Sequence, residues 1–501
     1  MPRRFCGLAV SVWPPLIDRT GSLRLAAGSA TKAERGRELD AARRQLDLIR
    51  ALPTPGASQA GAARPGKQFR GGSGRSGPSR ATAAGDNGPV DRNAGIGLLS
   101  PEAGSHGGPP PAIAPPPGHP RFPAADSLRA IAALSVLAAH ASVLSSSQHP
   151  HWWRVLTEQL TIGVPVFFVL SGFLLYRPFF SSEVGPAPSP RVGAFTRRRL
   201  LRIVPAYWLA LTLLAIEPGL PDVLTHDWWR YYGFLMVYEP LTRELGLVVA
   251  WTLCIEVTFY IALPLYAAVT RRMSRGLAPS GRIRLQLVLL TILGVSSVAF
   301  GYVRHDPATP SLLTYFDWFA LGMGLAVIST AERECGRSLA PIRWLERWPS
   351  ACWVLALGGY LAICGLVASA PGFQASSSGF YLLGEWRTLV LHLSEGLIAC
   401  LLLAPAVLGG HGGWPRRLLA ARPLLWLGLI SYGIYLWNLP LGNWLYGKGL
   451  HGFAPLLVAT VGFATACAAG SYYVLERPIL QLKEPGSRRI RLARLVRRRS
   501  S

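Results

Sequence analysis

The chain has 501 residues, of which 50% are hydrophobic and only 15% are charged. Soluble globular domains contain about 25% charged residues, so the composition excludes an ordinary soluble protein and indicates a membrane protein. The formal net charge of +25 comes mainly from Arg. These cations occur in short clusters between apolar runs, which is the pattern of membrane topology. We therefore expect the lipid bilayer as a partner and no nucleic acid.

Residues 1–120 differ in composition from the rest of the chain. Stretches such as GKQFRGGSGRSGPSRATAAG and GGPPPAIAPPPGHP are rich in Gly, Ser and Pro. Such segments bury too little apolar surface to offset the entropy lost on ordering, so we expect this extension to be disordered. A start codon assigned too far upstream would also account for it. We expect the functional residues to lie in a membrane domain at 121–482. A basic cytoplasmic tail follows at 483–501.

Ten apolar runs follow Ser127, and several approach the about 20 residues that a transmembrane helix needs. Arg clusters come after the even-numbered runs, whereas the intervening loops are poor in Arg. Because cytoplasmic loops collect Lys and Arg, this parity predicts ten transmembrane helices with both termini cytoplasmic. A further stretch, WWRYYGFLMVY, would break the parity, so we expect it to be interfacial or re-entrant. The predicted fold is an all-α membrane protein of about ten transmembrane helices.

Residue usage also indicates the source and the compartment. Arg supplies nearly all of the cations, and Ala, Gly and Pro are abundant, which fits a GC-rich bacterial genome. We therefore expect a multi-pass protein of the inner (plasma) membrane. The seven Cys are scattered without a C-x-x-C pair, so neither a zinc site nor a disulfide framework is expected.

The first apolar run, SLRAIAALSVLAAHASVL, carries Arg129 and His140. They are eleven positions apart, which is three helical turns, or about 16 Å along the axis, so both lie on one face. Ionisable side chains at such depth are costly and usually face a protein interior or a wet cavity. The alternative is that His140 has only a packing role and forms a hydrogen bond to a neighbouring helix.

The fourth run, WTLCIEVTFYIALPL, places Glu256 about 8 to 12 Å below the outer face, with Trp251 and Tyr260 on either side. An acid at this depth needs a partner, and His140 lies at a similar depth. We therefore expect Glu256 to orient or charge the imidazole. A structural His–Glu or Arg–Glu pair is the alternative. Asp317 is a third intramembrane acid, and the sequence indicates no role for it.

The third run begins with FTRRRLLRIVPAYWLAL, at the predicted cytoplasmic face. Arg199 and Arg202 are three positions apart, so they share a helix face. Two guanidinium forks in this place can bind phosphate groups. Ordinary positive-inside anchoring of the helix is the alternative.

Five sequence blocks, in order, resemble the integral-membrane acyltransferase-3 family, bacterial enzymes that O-acylate glycans, lipids and secondary metabolites. The resemblance covers about residues 121–480. Each block alone is a weak signal, whereas the five in this order are a strong one. The blocks are DSLRAIAALSVLAAH, GVPVFFVLSGFLL, RRLLRIVPAYW, WTLCIEVTFYIALP, and the closing pair ISYGIYLWNLPL and YYVLERPIL.

The resemblance implies a role for each matching position. His140 is implied to be the catalytic base that takes the proton from an acceptor hydroxyl, with Glu256 supporting the site. Arg129 is implied to assist at the donor or at the developing charge. Arg199 and Arg202 are implied to bind a CoA-type donor. The expected co-substrate is acyl-CoA, specifically acetyl-CoA, with no bound cofactor and no metal.

The chain departs from the family pattern in its late block, which usually reads Y-L-W-H-x-P. Asn438 stands at the His position here, and an amide cannot act as a base near neutral pH. We expect Asn438 to line the acceptor site, together with Asp126, Trp251 and Tyr260. The chain also ends about twenty residues after LERPIL. We therefore expect the membrane domain to handle the acceptor alone.

The predicted function is transfer of an acyl group from acyl-CoA to a hydroxyl of an envelope glycan, a lipid or a secondary metabolite. Direct transfer is expected, because the sequence shows no activated Ser or Cys. The rival is a proton-coupled transporter or flippase that uses Arg129, His140 and Glu256 as a relay. The sequence shows no inverted repeat to support it. A degenerate scaffold is a third hypothesis, which Asn438 and the N-terminal extension suggest.

Overall fold

The structure is a computed structural model. The predicted extension at 1–120 and the predicted basic tail at 483–501 lie outside the residues that it describes. The described residues form helices and contain no strand, so the predicted all-α class is confirmed. They are 122–145, 151–220, 222–239, 242, 245–304, 310–336, 343–344, 347–370, 385–408 and 414–481.

Ten helices of the described chain are long and apolar enough to cross a membrane, which confirms the number predicted from the sequence. A short helix, His151–Glu158, precedes the second of them, and a π-helical turn, Tyr472–Glu476, follows the last. The ten are α1 (Pro123–Leu144), α2 (Gly163–Val184), α3 (Val192–Ile216), α4 (Trp251–Met273), α5 (Pro279–Arg304), α6 (Leu312–Cys335), α7 (Pro349–Ala368), α8 (Glu385–Val407), α9 (Arg422–Gly447) and α10 (Phe453–Ser471).

The additional apolar stretch between α3 and α4 forms no helix long enough to cross a membrane. It forms one five-residue helix, Trp228–Tyr232, and a three-residue 3-10 turn, Met236–Tyr238, which are far shorter than the about 20 residues of a span. The stretch is tied to α3, because the Tyr207 hydroxyl donates to the carbonyl of Tyr231 at 2.8 Å. The prediction that it is not an eleventh span is therefore confirmed.

Helices α2 and α6 make a close contact through two glycines. A Cβ atom at Gly172 would collide with the carbonyl oxygen of Phe319, and one at Gly322 would collide with that of Val169. Small residues of this kind let transmembrane backbones approach each other. The contact fixes the position of α2, the helix that begins with GVPVFFVLSGF.

We expect Gly322→Ala to destabilise the protein by about 1 to 3 kcal/mol, because an added methyl group in a packed interface forces the backbones apart. Thermal unfolding in detergent, followed by tryptophan fluorescence, measures this change. Gly324→Ala is the matched control, since a Cβ atom there meets open space on the same helix. Equal midpoints for the two variants would show that the contact tolerates the methyl group.

Candidate active site

A cavity between α1, α2, α3, α4 and α9 brings together five of the residues predicted from the sequence. It encloses about 760 Å³ of space free of protein atoms, part of which is open to solvent. Its predicted lining residues are Arg129, Arg199, Arg202, Glu256 and Tyr260. Three helices that are distant along the chain therefore contribute charged groups to one site.

The cavity wall is cationic. It carries three guanidinium groups and one carboxylate, which leaves two positive charges in excess. Arg129 and Arg199 both interact electrostatically with Arg202 and with Glu256, so the four groups form one cluster. Clustered cations in a low-dielectric cleft attract an anion strongly. Arginine forks match the geometry of phosphate oxygens, so the site is suited to a phosphate-bearing ligand.

Asp126 orients one of these cations. The Arg129 Nη1 atom donates to Asp126 Oδ1 at 2.6 Å, one turn earlier on α1. The Asp126 side chain is 39% exposed and does not belong to the cavity lining. The contact that the structure records for Asp126 is with Arg129, and its expected place in the acceptor site stays a prediction.

Glu256 accepts a hydrogen bond from Ser171 on α2. The Ser171 Oγ to Glu256 Oε1 distance is 2.6 Å, and both residues line the cavity. The expectation that Glu256 orients His140 is wrong in its choice of partner. The sequence predicts similar depths for His140 on α1 and Glu256 on α4, but α2 packs against both of these helices. Glu256 therefore finds its partner on α2. Sequence reasoning missed Ser171, although the matching block FFVLSGF contains it.

His140 instead pairs with Asn438 of α9. The His140 Nδ1 to Asn438 Oδ1 distance is 2.6 Å, and both side chains are buried. The Asn438 Nδ2 atom donates to the carbonyl of Tyr435 at 2.6 Å, which leaves the amide oxygen facing the imidazole. An amide oxygen only accepts, so the neutral imidazole carries its proton on Nδ1. The Nε2 atom then holds the basic lone pair.

The His140–Asn438 pair lies beside the cavity. His140 is not among the described residues that line it, whereas Tyr435, one helical turn before Asn438, is. The Tyr435 ring meets Phe167 edge-on at 5.6 Å between centroids, and its hydroxyl lies 2.9 Å from Thr252 Oγ1. Tyr435 thus connects the cavity lining to Asn438, because its carbonyl accepts the Asn438 amide hydrogen bond.

A sequence model of one family, described as an acyltransferase domain, matches residues 122–474. This range contains α1 to α10 and every cavity residue named above. The chain belongs to this acyltransferase family. The resemblance inferred from the five sequence blocks is therefore confirmed.

The chain is similar to several bacterial proteins. The peptidoglycan O-acetyltransferase OatA of Listeria monocytogenes is 25% identical over 343 residues, which cover 64% of this chain and 49% of that protein. The exopolysaccharide production protein ExoZ of Rhizobium meliloti is 29% identical over 331 residues, 64% of this chain and 89% of that protein. The chain thus spans about half the length of the OatA protein that it matches. No solved structure matches the chain.

Two other residues noted in the sequence, Trp251 and Asp317, lie outside the cavity lining. Trp251 packs against Tyr315, with ring centroids 5.4 Å apart, and its contact with substrate stays a prediction. Asp317, to which the sequence assigns no role, accepts a hydrogen bond from His392 Nε2 at 2.9 Å. Trp318 stacks on the same imidazole at 4.5 Å between centroids. This second polar cluster joins α6 to α8.

Proposed function

We propose that the protein transfers an acyl group, specifically acetyl, from acyl-CoA to a hydroxyl of a cell-envelope glycan. The convergence of Arg129, Arg199 and Arg202 in one cavity of an acyltransferase domain carries this proposal, because CoA is rich in phosphate groups. The relative named as a peptidoglycan O-acetyltransferase supports acetyl as the group and a glycan as the acceptor. No metal or resident cofactor takes part in the proposed reaction.

We place the protein in the inner membrane with both termini in the cytoplasm, as the distribution of Arg favours. In this orientation α3 (Val192–Ile216) begins at the cytoplasmic side. Arg199 and Arg202 lie in the first half of α3, so a CoA donor from the cytoplasm meets them first. The acyl group then points toward Glu256 and the outer half of the bundle.

In the proposed chemistry, His140 Nε2 takes the proton from the acceptor hydroxyl as that oxygen attacks the acyl carbon. A positioned general base of this kind contributes about 10² to 10⁴-fold to the rate. Asn438 supports it by holding the Nδ1 proton, which keeps the Nε2 lone pair in place. The guanidinium groups of the cavity wall stabilise the negative charge that develops on the acyl oxygen.

The proposed function is tested with the purified protein in lipid nanodiscs, supplied with radiolabelled acetyl-CoA and an envelope glycan extract. We expect CoA thiol release that depends on the extract and equals the label recovered as alkali-labile ester. Empty nanodiscs are the control. Binding of CoA without thiol release, together with proton movement in proteoliposomes, would overturn the proposal in favour of a transporter.

The role given to Asn438 makes a separate prediction. Asn438→Leu removes the acceptor for His140 Nδ1–H and frees the tautomer and the ring orientation, so we expect kcat to fall about 10 to 100-fold. The KM for acyl-CoA is expected to stay within twofold, because Asn438 lies outside the cavity lining. Asn443→Leu, five residues further along the same helix, is the control. Equal kcat for both variants would contradict the positioning role.

A further inference from the structure

We propose that Ser171 is a catalytic nucleophile, which takes the acyl group from CoA before the acceptor hydroxyl receives it. The proposal rests on the proposed function and deepens it, since it adds a covalent step at the same cavity. Its central observation is the hydrogen bond of 2.6 Å from Ser171 Oγ to Glu256 Oε1 inside the cationic cavity.

The surroundings of Ser171 meet the requirements of an acyl-transfer nucleophile. A serine hydroxyl needs an adjacent base that draws its proton, and the Glu256 carboxylate already accepts that proton in a hydrogen bond. The developing oxyanion needs positively charged or N–H donors, and the same cavity contains Arg129, Arg199 and Arg202. Base, nucleophile and oxyanion-stabilising groups therefore converge on one space.

The structure distinguishes Ser171 from the other hydroxyl and thiol candidates near the site. Ser431 also lines the cavity, but its Oγ donates to the carbonyl of Gly428 at 2.9 Å, which is a very weak base. Thr252 pairs with the Tyr435 hydroxyl, which offers no carboxylate either. Cys254 is buried on α4 and lies outside the cavity lining.

The position of His140 explains why the transfer would use a covalent step. His140 is not among the described residues that line the cavity, whereas Ser171 is, so we place the carbon of a thioester bound among the arginines beside Ser171. Ser171 then carries the acyl group after CoA has left. The acceptor hydroxyl, activated by His140, completes the transfer in a second step.

Atoms and charges balance in both steps. In the first, Ser171 Oγ bonds to the acyl carbon and gives its proton to Glu256. The carbon–sulfur bond breaks, and the leaving thiolate takes that proton to become the CoA thiol. In the second, the acceptor hydroxyl gives its proton to His140 Nε2 and its oxygen bonds to the acyl carbon. The Ser171 oxygen leaves and regains a proton from the solvent in the cavity, to which His140 Nε2 gives up the acceptor proton, so the serine hydroxyl and the neutral imidazole are both restored.

The test is rapid acid quenching of the full-length protein with radiolabelled acetyl-CoA and no acceptor, followed by peptide mass spectrometry. We expect acetyl label on Ser171 with an equal burst of CoA thiol, and the same result for the control Ser135→Ala, whose hydroxyl donates within its own helix and lies outside the cavity lining. Ser171→Ala is expected to lose both label and burst, and its transfer to glycan is expected to fall at least 100-fold while CoA binding persists.

Several results would overturn the inference while leaving the proposed function intact. One is glycan acetylation by Ser171→Ala at a rate within threefold of the parent. Another is a parent protein that acquires no acetyl label and whose initial-rate kinetics show that both substrates must be bound at the same time. If Ser171→Ala fails to fold, label mapped in the parent to a residue other than Ser171 rejects the inference. Failure of the proposed function is distinct, since the parent protein then produces no acetylated glycan.

Discussion

His140→Gln is expected to lower kcat for glycan acetylation by about 10² to 10⁴-fold, which is the usual contribution of a positioned general base. Glutamine preserves much of the volume and can donate to Asn438, so the variant separates proton abstraction from packing. The KM for acetyl-CoA is expected to change less than threefold, because His140 lies outside the lining of the cationic cavity. Steady-state kinetics and CoA binding measure the two effects.

The matched control is His392→Gln. His392 also bonds a polar partner on a neighbouring described helix, Asp317 of α6, and no residue of α6 lines the cavity. We expect this variant to keep at least a third of the parent activity. If His140→Gln retains as much, the packing interpretation of His140 is correct and another group must act as the base.

Arg199→Gln and Arg202→Gln are each expected to raise the KM for acetyl-CoA about 10 to 100-fold, because a hydrogen bond to a charged group contributes about 1.5 to 3 kcal/mol. The increase in KM is expected to be smaller at high salt, because salt screens the attraction between the arginines and the CoA phosphates. Thiol release against acetyl-CoA concentration, at two ionic strengths, measures both effects. Uncharged short-chain thioesters are expected to react equally poorly with parent and variants.

The control for the arginine variants is Arg197→Gln. Arg197 lies on the same turn of α3 and carries the same charge, but its side chain is exposed. Loss of this charge is expected to leave the KM within twofold. If the three variants behave alike, the arginines serve only to anchor the helix at the membrane surface, and the cavity does not bind the donor through them.

Much of the fold follows from the sequence, because a bilayer imposes a length on every segment that crosses it. The ten apolar runs became ten helices, and WWRYYGFLMVY divided into pieces too short to span. The helical repeat also predicted that Arg199 and Arg202 share a face, and both line the cavity. Most of the sequence blocks that resemble the family lie on the helices that line the cavity.

The partners inside the site did not follow from the sequence. Periodicity gives the depth of a residue and the face on which it lies, but not the neighbouring helix that this face meets. Glu256 and His140 are predicted to lie at similar depths, yet each bonds a different helix, through Ser171 and Asn438 respectively. Trp251 has an aromatic environment that only the folding of α6 beside α4 creates.

We propose that the cationic cavity binds the acyl donor with its reactive carbon beside Ser171. A cryo-EM structure with a non-hydrolysable ketone analogue of acetyl-CoA tests this claim most directly. We predict CoA phosphates in contact with Arg199 and Arg202, and the acyl carbonyl carbon about 3 to 3.5 Å from Ser171 Oγ. An analogue bound at another surface, with the cavity empty, would contradict the account.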